Sequence, residues 1–208
     1  MTKNIKSICV FCGSSAGSRE EYSSKARDLG LLFVEKGITL VYGGSNVGLM
    51  RVIADTMLEA GGKVIGVMPH NLIEREVAHK GNTEFHVVET MAERKAVMDQ
   101  LSDAFIAMPG GIGTLDELFE VMSWNQLDLI TKPVALFNVL DYWDQLLKFL
   151  DHSVDQRFVK PEHRINLIAE SNEKVLLDKI INYVPVKVDG GKWIKELKEE
   201  TSLNRKIS

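Results

Sequence analysis

A glycine-rich segment at residues 109–117, PGGIGTLDE, carries the strongest chemical signal in the sequence. It follows the apolar run at residues 104–108 and precedes a stretch with the pattern of a helix. Glycines allow a ligand to approach backbone N–H groups closely, and a helix N-terminus adds unpaired donors and a positive dipole end. The segment therefore predicts an anion site, most naturally for phosphate. It has neither the lysine of a P-loop nor the dinucleotide-binding spacing, and a tight strand-to-helix turn is the alternative.

Glu117, at the end of this segment, is compatible with two roles. Thr114 and Glu117 have the spacing of a capping box, in which the glutamate accepts a hydrogen bond from the N-cap N–H. In the first helical turn beside a bound phosphate ester, the same carboxylate would stabilise positive charge developing on a sugar or activate a water. The roles do not exclude each other, because a carboxylate has two oxygens.

A second candidate segment is TMAERK at residues 90–95. Thr90 and Glu93 again have capping-box spacing, which predicts a helix start. Arg94 and Lys95 then lie near the helix N-terminus, where cations oppose the helix dipole. A bound anion would offset that cost, and the planar fork of Arg94 suits a phosphate or ribose hydroxyls. A solvated helix face is the alternative.

The remaining motifs give weaker signals. Glycine turns at residues 13–15 and 43–48 would contact the ligand or a neighbouring loop, or only allow tight packing. Cys9 and Cys12 are three residues apart in a predicted strand, so they point to opposite faces and are expected to be buried thiols rather than a redox or metal pair. The five histidines lack metal-ligand spacing. We therefore expect no metal.

Short runs of β-branched and other apolar residues alternate along the chain with longer amphipathic stretches. This alternation is typical of βαβ units, and nearly continuous apolar strands suit a sheet covered on both faces. The expected fold is α/β, a Rossmann-like, doubly wound and mostly parallel sheet of about seven strands with helices on both faces. Ligands of such sheets bind beyond the carboxyl ends of the strands, where the three glycine clusters stand. The predicted strands are residues 7–12, 38–42, 64–68, 85–88, 104–108, 134–137 and 165–168, and the predicted helices are residues 20–36, 47–60, 91–101, 115–127, 142–152 and 173–183.

Composition and charge limit the class of protein. The 208 residues are 45% hydrophobic and 26% charged, with a net charge of −4, which is ordinary for a globular protein and unlike a nucleic-acid or membrane-surface binder. No apolar run is long enough to span a bilayer and no signal peptide is evident, so we expect a cytoplasmic protein. We expect one nucleotide-binding domain at residues 1–188 and a polar tail at 189–208. The irregular segment 69–84 is interpreted as a lid or an edge excursion.

Several of these motifs, in this order, resemble the LOG (Lonely Guy) family of cytokinin riboside 5′-monophosphate phosphoribohydrolases, formerly labelled possible lysine decarboxylases. The family pattern PGGxGTxxE is present at residues 109–117, and its MxxRK element is present at residues 91–95. Its CVFCGSS opening is present at residues 9–15. The similarity runs from about residue 7 to residue 168. Several ordered motifs make it more specific than a single glycine loop.

The resemblance implies a Rossmann-like homodimer that uses no cofactor and cleaves the N-glycosidic bond of a nucleoside 5′-monophosphate. AMP or a cytokinin riboside 5′-monophosphate would give free base and ribose 5-phosphate. The resemblance assigns catalysis to Arg94 and Glu117. It assigns substrate contacts to Glu76, Lys95, Gly110, Gly111, Ile112, Gly113, Thr114 and Ser123. Departures from the family pattern, such as Ala92 and the serine at position 123, leave the preferred base open.

Three other functions remain as alternatives. A non-catalytic nucleotide or molybdenum-cofactor carrier would keep the glycine loop but would not need the Arg94–Glu117 pair. Lysine decarboxylation requires a lysine that carries pyridoxal phosphate, and no motif marks one. A redox role for Cys9 and Cys12 conflicts with their predicted placement on opposite strand faces.

Overall fold

The protein is described by a computed structural model that covers residues 4–76 and 78–187, without the side chains of residues 74–76. Seven strands form one sheet: β1 (Ser7–Phe11), β2 (Thr39–Tyr42), β3 (Val64–Pro69), β4 (Glu84–Val88), β5 (Ala104–Ala107), β6 (Val134–Phe137) and β7 (Leu167–Glu170). The strand order is β4-β3-β2-β1-β5-β6-β7, and every neighbouring pair is parallel. The sequence runs outwards in both directions from β1, so the predicted doubly wound α/β fold is confirmed.

Helices connect the strands. They are α1 (Glu20–Glu35), α2 (Gly48–Glu59), α3 (His70–Glu76), α4 (Met91–Gln100), α5 (Ile112–Gln126), α6 (Asp144–Asp155), α7 (Pro161–Ile165) and α8 (Glu173–Ile181), with a 3₁₀ turn at Val139–Asp141. No helix in the described ranges is long and apolar enough to cross a membrane.

Successive side chains of a strand point to opposite faces of the sheet, and each face packs into its own apolar layer. Ile8 and Val10 of β1 belong to the layer formed with α1, α2 and α8. Phe11 belongs to the opposite layer, formed with α4, α5 and α6. Cys12 and Cys9 fall in the first and the second layer respectively, and both are buried free thiols. This confirms that they point to opposite faces of the sheet.

Several predicted boundaries are shifted in the structure. The predicted strand at residues 165–168 begins too early, because Ile165 closes helix α7 and is 66% exposed, and β7 starts at Leu167. The segment at 69–84, interpreted as a lid or an edge excursion, contains α3 and an isolated antiparallel bridge between Ser45 and Ala78, outside the sheet strands. Helix α5 begins at Ile112, three residues earlier than predicted. The polar tail at 189–208 lies outside the described residues.

Candidate active site

A cleft of about 250 Å³ opens at the carboxyl ends of β1 and β5. These neighbouring strands mark the point at which the strand order reverses, since β1 leads towards β2 on one side and β5 towards β6 on the other. Open α/β sheets bind ligands at such points. The lining residues are Cys12, Gly13, Ser14, Met50, Leu72, Met91, Arg94, Gly111, Ile112, Gly113, Thr114, Asp116 and Glu117.

The glycine-rich loop forms one wall of the cleft and enters α5 directly. Gly111 is the N-cap residue, and Ile112 and Gly113 form the start of the helix. The predicted capping box at Thr114 is therefore wrong: Thr114 is already the third helical residue, and the Glu117 carboxylate bonds elsewhere. Gly110 is required at its position, because a Cβ there would lie 2.1 Å from the Thr114 hydroxyl oxygen.

Arg94 and Glu117 form a buried ion pair at the base of the cleft. The Nη1 of Arg94 donates to Oε1 of Glu117 at 2.8 Å, and each residue is only 9% exposed. Arg94 comes from the first turns of α4, where Thr90 accepts from the Glu93 N–H as predicted. A solvated face is excluded for Arg94.

Two neighbours from the sheet fix the guanidinium of Arg94. Its Nε donates to the carbonyl oxygen of Val67 in β3 at 3.0 Å. On another side it lies against Gly43, at the end of β2, where an added Cβ would be 2.1 Å from Nη2. The glycine turn after β2 thus leaves space for Arg94, a role its motif did not reveal.

Burial controls the ionisation of the acidic groups in the cleft. It raises the pKa of Glu117 above its usual value, although the nearby Arg94 lowers it in part. Burial also raises the pKa of the Cys12 thiol far above its usual range, with a smaller contribution from Glu117. Cys12 is therefore a protonated wall residue and not a nucleophile.

Lys95 lies next to this pair but makes different contacts. Its ammonium is 3.0 Å from a Glu120 carboxylate oxygen and 3.3 Å from one of Asp116. Partial burial opposes its charge, but these two carboxylates raise the pKa of Lys95 overall. Lys95 is not itself part of the cleft lining, but its partner Asp116 is, and Lys95 shares a small neighbouring pocket with Glu117.

Of the two other predicted substrate contacts, Ser123 is not brought to the Arg94–Glu117 pair, and the prediction for Glu76 is not tested. Ser123 lines a separate, largely apolar cavity of about 180 Å³ between α5, α6 and α7. Glu76 closes α3, but its side chain lies outside the described part of the structure. In contrast, Leu72 of α3 and Met91 of α4 line the cleft without having been predicted. Their apolar character gave no signal that separated them from core residues.

No group of three or more histidine, cysteine, aspartate or glutamate side chains with the arrangement of a metal site is present among the residues described. At the base of the cleft, the Arg94 guanidinium donates hydrogen bonds to the Glu117 carboxylate and the Val67 carbonyl. The site therefore offers a glycine-rich helix N-terminus and a buried carboxylate–guanidinium pair to a ligand.

Solved structures with a similar fold have low sequence identity. The molybdenum cofactor binding protein of Rippkaea orientalis superposes with a TM-score of 0.62 at 22% identity, over 86% of this chain and 97% of that one. The Moco carrier protein of Chlamydomonas reinhardtii gives a TM-score of 0.61 at 22% identity, over 84% and 98% of the two chains. These similarities support the fold alone.

Similarity in sequence is much closer to another group. Residues 50–180 match the family model described as possible lysine decarboxylase. The cytokinin riboside 5′-monophosphate phosphoribohydrolase LOG5 of Arabidopsis thaliana is 46% identical over 182 residues, 88% of this chain and 80% of that protein. LOG1 of the same plant is 46% identical over 181 residues, 87% and 85% of the two chains. The chain therefore belongs to the LOG family of cytokinin riboside 5′-monophosphate phosphoribohydrolases.

Proposed function

We propose that this protein hydrolyses the N-glycosidic bond of nucleoside 5′-monophosphates to free base and ribose 5-phosphate. The observation that carries this proposal is the buried Arg94–Glu117 pair, at 2.8 Å, in a cleft bounded by a glycine-rich helix N-terminus. Relatives that are 46% identical bear the name of this activity.

The proposed phosphate site is the start of α5. The N–H groups of residues 111–114 have no partner four residues earlier within the helix, and the helix dipole favours a negative charge beside them. Gly111 and Gly113 face open space, since a Cβ built at either position would have no atom within 4 Å. A phosphate dianion therefore has open access to the donors of the loop.

The proposed chemistry takes place at the anomeric carbon. As the C–N bond breaks, its electron pair leaves with the base and positive charge builds on the ribose ring, as in glycoside hydrolysis. The Glu117 carboxylate stabilises that charge, and it also orients the water that attacks. The oxygen of this water bonds to the anomeric carbon, and one of its protons replaces the sugar on the base. Arg94 holds Glu117 in place and contacts the ribose phosphate.

The experiment that tests this function measures base release. Purified protein incubated with AMP is expected to yield adenine and ribose 5-phosphate, with a cytokinin riboside 5′-monophosphate as a second substrate and adenosine as a poor one. The apolar lining residues Met50, Leu72, Met91 and Ile112 would provide contacts for the base of either nucleotide. Nucleotide binding without base release would contradict the proposal and favour a carrier, because a carrier needs no catalytic pair.

We further propose that the protein is a cytoplasmic homodimer with neither nucleic acid nor membrane as a partner. Large apolar side chains are exposed directly next in sequence to residues that line the cavity between α5, α6 and α7, among them Phe158 at 86%, Ile165 at 66% and Phe149 at 60%. Exposed apolar groups concentrated on one surface are typical of a protein interface. Buried free thiols suit a reducing compartment, and a net charge of −4 does not favour anionic polymers or membranes.

A further inference from the structure

The glycine-rich loop is held from outside by a tyrosine hydroxyl. Tyr142, which follows β6, donates a hydrogen bond to the carbonyl oxygen of Gly110 at 2.6 Å. Gly110 and Gly111 have no side chains of their own, and a Cβ on Gly111 would meet nothing within 4 Å. Thr114 and Gly13 crowd Gly110, but nothing packs against the Gly111 side of the peptide between these two glycines, and the hydrogen bond from Tyr142 restrains its carbonyl.

Peptide geometry extends the effect of this contact into the cleft. In a trans peptide the carbonyl oxygen and the following N–H point in opposite directions within one plane. Holding the Gly110 carbonyl on Tyr142 therefore fixes the direction of the Gly111 N–H, and Gly111 lines the cleft. An untethered glycine peptide has many orientations, so an anion would have to order it on binding.

The turn that carries Tyr142 is strained. Leu140 and Asp141 have φ values of 52° and 57°, a left-handed conformation that side chains other than glycine disfavour. Asn138 supports the turn, because its side-chain oxygen accepts from the Trp143 N–H at 2.7 Å. Such strain persists only where its surroundings enforce it, and it concentrates at functional sites.

The tyrosine ring itself is held by other aromatic rings. It packs edge-on against Trp143, with ring centroids 4.9 Å apart, and against Tyr22, with centroids 6.0 Å apart. Trp143 is 2% exposed, whereas Tyr142 is 41% exposed. Burial of the Tyr142 ring therefore does not account for the two strained residues before it; the turn instead buries the neighbouring Trp143 and brings the Tyr142 hydroxyl to Gly110.

We propose that Tyr142 is a positioning residue for substrate phosphate: its hydroxyl, acting through the Gly110 carbonyl, presets the loop that receives the anion. This inference rests on the proposed function, in which residues 111–114 bind the 5′-phosphate. Tyr142 acts on binding of the phosphate and not on cleavage of the glycosidic bond, which lies at Arg94 and Glu117.

The test compares Tyr142→Phe, which loses only the hydroxyl, with Tyr142→Ala, which also loses the ring. Loss of one hydrogen bond predicts that Tyr142→Phe raises the KM for AMP about three- to tenfold, with kcat within about twofold. Inhibition by ribose 5-phosphate weakens by a similar factor, whereas inhibition by adenine is unchanged. Tyr142→Ala shows at least the same KM effect and a lower Tm. Tyr22→Phe removes a hydroxyl from the same aromatic cluster and keeps wild-type kinetics.

Each outcome separates this inference from the function on which it rests. If the wild type releases adenine and only Tyr142→Ala raises the KM, the ring acts by packing and the hydroxyl role is overturned. If adenine inhibition weakens as much as inhibition by ribose 5-phosphate, the effect is not specific to the phosphate, and the inference also fails. If the wild type releases no base, the proposed function fails. Calorimetric binding of ribose 5-phosphate to wild type and Tyr142→Phe then decides the role of Tyr142 separately.

Discussion

Glu117 meets two opposing demands at the scale of single residues. Removal from water strengthens its interaction with a cationic transition state, since the local dielectric is low. The same burial raises its pKa and so favours the neutral acid, which would be ineffective. Arg94, at 2.8 Å, partly offsets this penalty. The pair therefore favours the charged form of a carboxylate whose burial favours the neutral form.

Replacing Glu117 by Gln is expected to preserve the fold and nucleotide binding and to lower kcat for base release by about 10²–10³-fold or more, because the negative charge is lost. Steady-state kinetics with AMP and calorimetric binding measure the two effects. Glu173→Gln, which changes a carboxylate paired with Lys25 at 3.0 Å on the other side of the sheet, is the matched control. Wild-type kcat in the Glu117 variant would exclude this residue from the mechanism.

In a plot of kcat/KM against pH, activity is expected to fall on the acidic side (the acidic limb) at a pH above the ordinary pKa range of glutamate. The sign follows from the raised pKa of Glu117: the carboxyl becomes protonated at a higher pH than an exposed one, and activity falls as the pH drops through that value. A profile between pH 4 and pH 8 measures this limb. Flat activity down to pH 4 would contradict it.

Exchanging arginine and lysine at the adjacent positions 94 and 95 is expected to affect turnover very differently, although each exchange keeps the positive charge. Arg94→Lys loses the planar fork that contacts Val67 and Glu117, so turnover is expected to fall by about 10²-fold or more. Lys95→Arg keeps a cation beside Glu120 and Asp116, and activity is expected to stay within about threefold. Steady-state kinetics with AMP measure kcat and KM for both variants. A larger loss for Lys95→Arg would give Lys95 direct contact with the substrate.

Three elements of the fold meet around the Arg94–Glu117 pair. Helix α4 supplies Arg94, helix α5 supplies Glu117, and the turn after β2 leaves the space that the guanidinium fills. The position of Arg94 near a helix N-terminus opposes the helix dipole. The Glu117 carboxylate and the Val67 carbonyl compensate for this locally.

Gly43→Ala is expected to fold and to lose activity. The added Cβ would lie 2.1 Å from Nη2 of Arg94, and the end of that flexible side chain is what must move. We expect kcat to fall by about 10²-fold and the acidic limb to shift to higher pH, since Glu117 loses part of its partner. Gly30→Ala, whose Cβ would come no closer than 3.3 Å to a neighbour, is the control. An unchanged pH profile in the Gly43 variant would contradict displacement of Arg94.

The sheet as a whole determines where the cleft and the proposed interface lie. The strand order reverses between β1 and β5, and the cleft forms there. None of the exposed residues Phe149, Phe158 and Ile165 lines this cleft, and the cavity that contains Ser123 lies elsewhere, between α5, α6 and α7. The two surfaces are therefore distinct in one subunit.

Phe158→Glu is expected to convert the proposed dimer into a monomer, because a charge would replace a residue that is 86% exposed on the apolar surface. Light scattering coupled to gel filtration measures the mass. Leu31→Glu places the same charge at a residue that is 52% exposed on α1, in the opposite layer of the sheet, and it should remain dimeric. A wild-type monomer, or a dimer in both variants, would contradict the assigned interface.

The sequence by itself determined the strand–helix alternation, the order of the glycine turns and the residue types of the site. These features are local, since apolar periodicity and glycine placement act within one element or one turn. The Arg94–Glu117 pair was predicted as a pair only through resemblance to a family. Both residues also had local explanations, as a solvated cation and a capping glutamate, and neither explanation held.

Only the tertiary structure decided which side chains meet. Residues 43, 67, 94 and 117 are far apart along the chain, and the parallel sheet brings them within contact distance. The same packing directed Lys95 to Glu120, placed Ser123 in another cavity and brought Tyr142 to Gly110. Contacts of this kind depend on the crossover of every intervening element, and no short sequence pattern encodes them.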